Sequence, residues 1–294
     1  MSAPSAANGA WALRYAPHLG YRPPFQPLFA HSVGSEDPVA QIQFAADQGF
    51  AGVQYAAARS RTVVEQRAVG EALARHGLEA GCVLYTRFDQ LRNPSWGVES
   101  DDARAWIAGE MRAAIDTAKR VGARRIAVVA AADPQRPIAR QQAAMVSHLR
   151  FVGDLAAAAD MTICVEALSR TSIPDMLLQR ILDAYAVVRS ANHPAVRLIF
   201  DTSHVQIMDG DLLYHLERTW DTVEVVQLAD NPGRFEPGSG EINFEAMLMT
   251  LASRGYTGLV ELEHGWLVPS LESERRGLAT LRRLDAAATT GSGG

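Results

Sequence analysis

Short apolar runs alternate with helix-length amphipathic stretches along almost the whole chain. Residues 11–17 read as a first strand and lead into a Pro/Gly-rich loop that ends near residue 37. From Asp37-Pro38 the apolar positions Val39, Ile42 and Ala45/Ala46 recur at helical spacing, behind an acidic cap and a first-turn proline. Residues 52–55 and 80–85 predict strands, and the helix between them, 62–76, is stopped by Gly77. A long helix over 101–121 precedes a β-branched strand at 125–130. In the second half, strands at 162–165, 196–200, 223–226 and 259–262 alternate with helices at 138–158, 174–189, 204–216, 244–254 and 271–286.

Strands that are apolar throughout, each followed by a helix, require a parallel sheet covered by helices. Eight such units without a Gly-x-Gly-x-x-Gly turn favour a closed (β/α)8 TIM barrel over an open doubly wound sheet. A length of 294 residues suits one such barrel of roughly 250 residues. The expected organisation is a single domain over 1–287, in which 1–37 is an N-terminal segment with the first strand and a long loop. Residues 288–294 are expected to form a flexible Gly/Ser tail.

Composition narrows the function classes. With 48% hydrophobic and 21% charged residues, the chain can build a large core, so disorder is excluded. No run of about 18 apolar residues offers a membrane span, and a net charge of −5 lacks the basic footprint of a nucleic-acid binder. Cys82 and Cys164 lie in apolar runs without a Cys-x-x-Cys pair, and the N-terminus lacks an export-signal pattern, so reduced core thiols and a cytoplasmic location are expected. The single lysine, Lys119, falls in a helix, which leaves no candidate for Schiff-base chemistry.

Candidate chemistry sits where polar residues end the apolar strands. Glu166, Asp201, Gln227 and Glu263 terminate strands five to eight, at separations of 35, 26 and 36 residues, each about one βα unit. The C-terminal strand ends of a barrel form its active-site floor. Three carboxylates in one dry pocket would protonate unless a cation neutralised them. An all-oxygen donor set suits one hard divalent ion, Mn²⁺ or Mg²⁺, with Co²⁺ also compatible.

The segment 227–243, Gln-Leu-Ala-Asp-Asn-Pro-Gly-Arg-Phe-Glu-Pro-Gly-Ser-Gly-Glu-Ile-Asn, resembles the strand-seven signature of the hydroxypyruvate isomerase family, within the xylose-isomerase-like barrels. Asp201-Thr-Ser-His204, Cys164-Val-Glu166 and Val260-Glu-Leu-Glu263-His264 resemble the same family's strand-six and glutamate-bearing motifs. The resemblance implies a divalent ion on Glu166, Asp201, Gln227 and Glu263, with Glu166 and Glu263 also as the acid/base pair of an aldose–ketose isomerisation through a cis-enediolate. It places His204 and Arg234 on substrate oxygens. The glycines and acids of 236–241 are expected to shape the loop.

Two strand ends depart from that pattern: Gln54 at strand two, where many relatives carry glutamate, and Arg87 after strand three. Both are expected to bind and select the substrate, a small keto acid or keto sugar. Two further readings remain open at this stage. One is a ketose 3-epimerase or a β-eliminating lyase acting on a 3-keto sugar. The other is a non-catalytic barrel that binds a sugar or a partner protein. The resemblance is compatible with a homo-oligomer paired through outer helices. A three-zinc endonuclease of the same superfamily is disfavoured, because the eight histidines do not occupy matching strand ends.

Overall fold

A computed structural model of the chain describes residues 10–290. Nine short strands carry the fold: β1 (Arg14–Pro17), β2 (Gly52–Val53), β3 (Glu79–Ala80), β4 (Val83–Leu84), β5 (Arg125–Val128), β6 (Thr162–Val165), β7 (Val196–Asp201), β8 (Val223–Leu228) and β9 (Leu259–Leu262). All pairings are parallel, in a seven-stranded sheet ordered β1-β9-β8-β7-β6-β5-β4 and a two-stranded sheet β2-β3. Single bridges close the ring: His18 pairs with Gln54 beside β1 and β2, and Ala80 pairs with Ala123 beside β3 and β5. The architecture is therefore the expected parallel barrel.

The expected third strand is split into β3 and β4 at Gly81-Cys82. The break has a local cause. A Cβ on Gly81 would lie 2.5 Å from the Glu261 carboxylate, which instead accepts the Cys82 N–H at 2.6 Å.

Among the described residues, ten α-helices accompany the strands: α1 (Ala30–Val33), α2 (Pro38–Asp47), α3 (Val63–His76), α4 (Asp101–Val121), α5 (Ile138–Ala157), α6 (Ile181–Ala191), α7 (Thr202–Met208), α8 (Leu212–Thr219), α9 (Phe244–Ser253) and α10 (Leu271–Thr290). Asp37, Thr62, Ser100 and Asn243 cap α2, α3, α4 and α9 through side-chain oxygens, and Gly77 and Gly122 end α3 and α4 in the left-handed conformation. Three expectations need correction. Residues 174–180 are irregular, so α6 begins only at Ile181. The helix expected over 204–216 is two helices, because Gly210 and Asp211 both take positive φ (66° and 40°). The last helix runs to Thr290, past the 287/288 boundary, while residues 291–294 lie outside the described part.

The core lies between barrel and helices, with Ile107, Met111, Met145, Leu149 and Ile163 fully buried. Tyr85 packs edge-on against Trp96, and Trp11 stacks on Phe50, so both are packing residues. The N-terminal end of the barrel is closed by charge: Arg125 bonds Glu79 and Glu224, and Arg14 bonds Glu79 at 2.7 Å. Both cysteines are free and buried. Among the described residues, no helix is long and apolar enough to cross a membrane.

Candidate active site

Parallel register brings the chemistry to one end. Asp201 on β7 pairs with Gln227 on β8, and Gln227 pairs with Glu261 on β9, two residues before Glu263. Glu166 follows β6, tied by its N–H to Val128 O at 3.0 Å. Side chains alternate along a strand, so Glu261 and Glu263 share one face. Glu166, Gln227, Glu263, Gln54, His204 and Arg234 line one cavity of about 110 Å³. Seven of the eight residues expected at the site thus come together: these six and Asp201, which reaches the group through Arg234. Arg87 does not. It is exposed and paired with Asp89 at 2.8 Å, outside the cavity wall; it stands in extended conformation just ahead of the short helical turn 88–90, whose Phe88 takes the lining position instead.

Arg234 organises the carboxylates. Its guanidinium grips Asp201 with two hydrogen bonds (3.0 and 2.8 Å) and reaches Glu263 at 3.0 Å, while its face lies 5.5 Å from the Tyr21 ring centroid. Arg234 has φ +61°, an unusual state for a non-glycine that is kept where surrounding structure fixes it. The loop does so through Asp230, whose buried carboxylate accepts N–H groups from Asn231, Gly238, Gly240 and Ile242. Only glycine fits at 240, since a Cβ there would lie 1.9 Å from Asn231 O. Glu236 anchors the loop to the next one by accepting Leu267 N–H at 2.9 Å. The expected loop-shaping role of these residues is what the structure shows.

Electrostatics divides the acids. Burial would raise Asp201, but the charge of Arg234 together with the hydrogen bonds from Arg234 and from His204 N–H outweighs it and holds the carboxyl below its ordinary range. Asp201 also caps α7 by accepting His204 N–H at 2.9 Å. Glu166 is pushed well above the usual carboxylate range by burial, with Glu263 and Asp201 adding repulsion. Burial likewise lifts Glu263, to about 7, against the pull of Arg234. Burial lowers His204 to about 4, so its ring is neutral. Ser169 N–H and Oγ lie 3.3 and 3.2 Å from His204 Nδ1, which therefore acts as acceptor and leaves the proton on Nε2, 3.6 Å from Glu166.

Glu261 was not among the expected residues. It is fully buried and accepts from Cys82 N–H, Gln54 Nε2 (2.8 Å) and Gln227 Nε2 (2.9 Å). Both amides thus turn their NH2 groups toward Glu261, and the Oε1 atoms of Gln54 and Gln227 are left without partners. Gln54 Nε2 also donates to Glu263, so Gln54 belongs to the acid cluster as much as to the cavity wall. The alternation Glu261-Leu262-Glu263 was the signal that could have revealed this residue.

The donor set fits a divalent cation. Glu166 Oε1 and Gln227 Oε1 are buried acceptors with no partner, a costly state that a cation would relieve. With Glu166, Asp201 and Glu263 all ionised, one guanidinium would leave two negative charges, a surplus that together with burial holds Glu166 and Glu263 above their ordinary range. Ligand atoms of Glu166, Asp201 and His204 all lie within 4.8 Å of one another. These three could hold a metal ion, and Glu166, Asp201, Gln227 and Glu263 offer the oxygen donors that a hard ion takes.

A profile of the xylose isomerase-like TIM barrel family matches residues 42–284. The chain is 30% identical over 176 residues to the 2-oxo-tetronate isomerase of Cupriavidus necator, covering 55% of this chain and 67% of that protein. It is 26% identical over 239 residues to the hydroxypyruvate isomerase of Escherichia coli, covering 79% and 89%. Among solved structures, a Brucella melitensis protein described as an AP endonuclease, family 2, superposes with a TM-score of 0.76 at 23% identity, over 91% of this chain and 98% of that one. At that identity the likeness concerns the fold alone.

Proposed function

The chain belongs to the xylose isomerase-like TIM barrels, and within them we propose that it is a divalent-cation-dependent isomerase of a small keto acid. The observation that carries this reading is the placement of Glu166 and Glu263 on one cavity, with the unpartnered Gln227 oxygen beside them. Relatives named as isomerases of hydroxypyruvate and 2-oxo-tetronate support the substrate class. Glu166, Asp201, Gln227 and Glu263 would hold Mn²⁺ or Mg²⁺, which when bound would supply Lewis acidity to the substrate carbonyl.

The protein's own groups move the protons. One glutamate removes the proton from the hydroxyl-bearing carbon, giving a cis-enediolate, and a glutamic acid returns a proton to the neighbouring carbon. A hydroxyl proton passes between the two oxygens, so the formula is unchanged. His204, neutral and protonated on Nε2, donates to a substrate oxygen. Arg234 keeps Asp201 ionised and offsets charge developing on the enediolate. Arg22 is an exposed cation on the cavity wall, and among the described residues no carboxylate pairs with it, so it is the candidate for the substrate carboxylate. Cytoplasmic residence, which suits the two free thiols, is part of this proposal.

The test is deuterium uptake from D2O into hydroxypyruvate and 2-oxo-tetronate with Mn²⁺ present, followed by product identification. Glu263→Gln should retain its melting temperature and lose about 100-fold or more in exchange rate. Undiminished exchange in that variant would remove Glu263 from the proton path. Recovery of an epimer or an elimination product would favour the 3-epimerase or lyase reading.

A further inference from the structure

The cavity has two chemically different halves. The polar half is built at the strand ends, with Asp201 and Gln227 near the ends of β7 and β8 and Glu261 and Glu263 in and just after β9, while the deeper in-facing positions Ile199 and Val225 are apolar. On the other side, β4 and β5 are in register with Leu84 opposite Ala127. The cavity-lining positions there, taken at alternate residues, are Cys82 and Leu84, then Ala127 and Val129. Leu168 extends this wall, and Leu91 and Ile173 close over it. Gln54 also lines the cavity; its NH2 group is taken by Glu261 and Glu263 and its Oε1 has no partner, and Ser172 and Tyr21 are the hydroxyl-bearing residues of the lining. Arg87, the other polar residue expected there, points into solvent.

We propose that the substrate is a 3-hydroxy-2-oxo acid whose C3 substituent is a short alkyl group, seated on the wall of Leu84, Ala127, Val129 and Leu168. The inference rests on the isomerase reading and deepens it. The reacting carbonyl and hydroxyl need the polar half, so whatever C3 carries must face the apolar half. A hydroxylated tail would lose its water against the side chains of Leu84, Ala127, Val129 and Leu168, which offer it no hydrogen bond, whereas an alkyl group gains by leaving water.

The experiment compares 3-hydroxy-2-oxobutanoate with 3,4-dihydroxy-2-oxobutanoate, which differ by one hydroxyl on the substituent. Solvent deuterium uptake at C3 and equilibrium binding to the Mn²⁺-supplemented protein are both measured. The methyl compound should win by roughly 10- to 100-fold in kcat/KM and bind more tightly, the range an apolar wall achieves against an added hydroxyl. Val129→Thr, which keeps the shape and adds a hydroxyl to the wall, should shift that ratio toward the dihydroxy acid, and Ala127→Ser should do the same if the first variant folds poorly. Equal or better exchange and binding of the dihydroxy acid overturns the wall assignment. Exchange in neither compound, with tighter binding of the methyl acid, upholds the wall and overturns the isomerase reading instead.

Discussion

Replacing Glu261 by glutamine should rotate the Gln227 amide. In the native protein one Glu261 oxygen accepts from Gln54 Nε2 at 2.8 Å and Gln227 Nε2 at 2.9 Å, while the other accepts the Cys82 N–H. A glutamine at 261 keeps the oxygen for Cys82 but sets an NH2 group against two NH2 groups. Leaving both amides unpaired would cost about 2–6 kcal/mol, at roughly 1–3 each. Flipping Gln227 restores its bond at little cost and turns its Nε2 toward the cation position, whereas a flip of Gln54 restores its bond to residue 261 but gives up the one it donates to Glu263. The expected consequence is a near-native melting temperature without metal and a 10- to 100-fold loss of Mn²⁺ affinity, typical of groups behind a metal ligand and equal to about 1.4–2.7 kcal/mol. Calorimetric titration reads the affinity directly. Thermal unfolding gives a second reading. At Mn²⁺ equal to 100 times the native Kd, stabilisation should fall from about 2.7 kcal/mol to about 0.4–1.4 kcal/mol. A Glu261→Gln protein that binds Mn²⁺ within threefold of native would show that Glu261 does not set the Gln227 orientation, or that Gln227 is no ligand.

Arg22→Gln should raise KM for keto acids about tenfold, the scale of one charge-assisted contact, and leave their neutral amides unaffected, whereas Arg87→Ala should change neither; steady-state kinetics on both substrate sets decides, and an Arg87 effect confined to acids would reverse the assignment. At the opposite end of the barrel, burial raises the Glu79 carboxyl but Arg125 and Arg14 more than compensate, so its folded pKa lies below the ordinary 4.5. A depressed carboxylate contributes stability that is present above the unfolded pKa and lost as pH falls through the folded one. Glu79→Gln should therefore cost on the order of 1 kcal/mol near pH 7 and less in acid below the folded pKa; urea unfolding at both pH values tests this, and an equal loss at both would refute the linkage.

The sequence by itself determined the architecture and most of the site. Apolar strands alternating with capped helices leave a parallel barrel as the way to bury both sheet faces. Polar residues at strand ends then fall at one rim, which is why Glu166, Asp201, Gln227 and Glu263 were legible one βα unit apart. What sequence could not settle depends on directions in space. The single break between Gly210 and Asp211 splits a helical pattern that hydrophobic spacing alone reads as continuous. Arg87 sits three residues beyond a strand end and just ahead of a helical turn, and only the path of the chain there shows that it leaves the cavity while Phe88 lines it. Glu261 lies in mid-strand, where a carboxylate is affordable only because donors from strands distant in sequence, at Gln54, Cys82 and Gln227, converge on it. Its role, and the apolar character of the facing wall, arise from register across the barrel, a property of pairing between strands that no local pattern encodes.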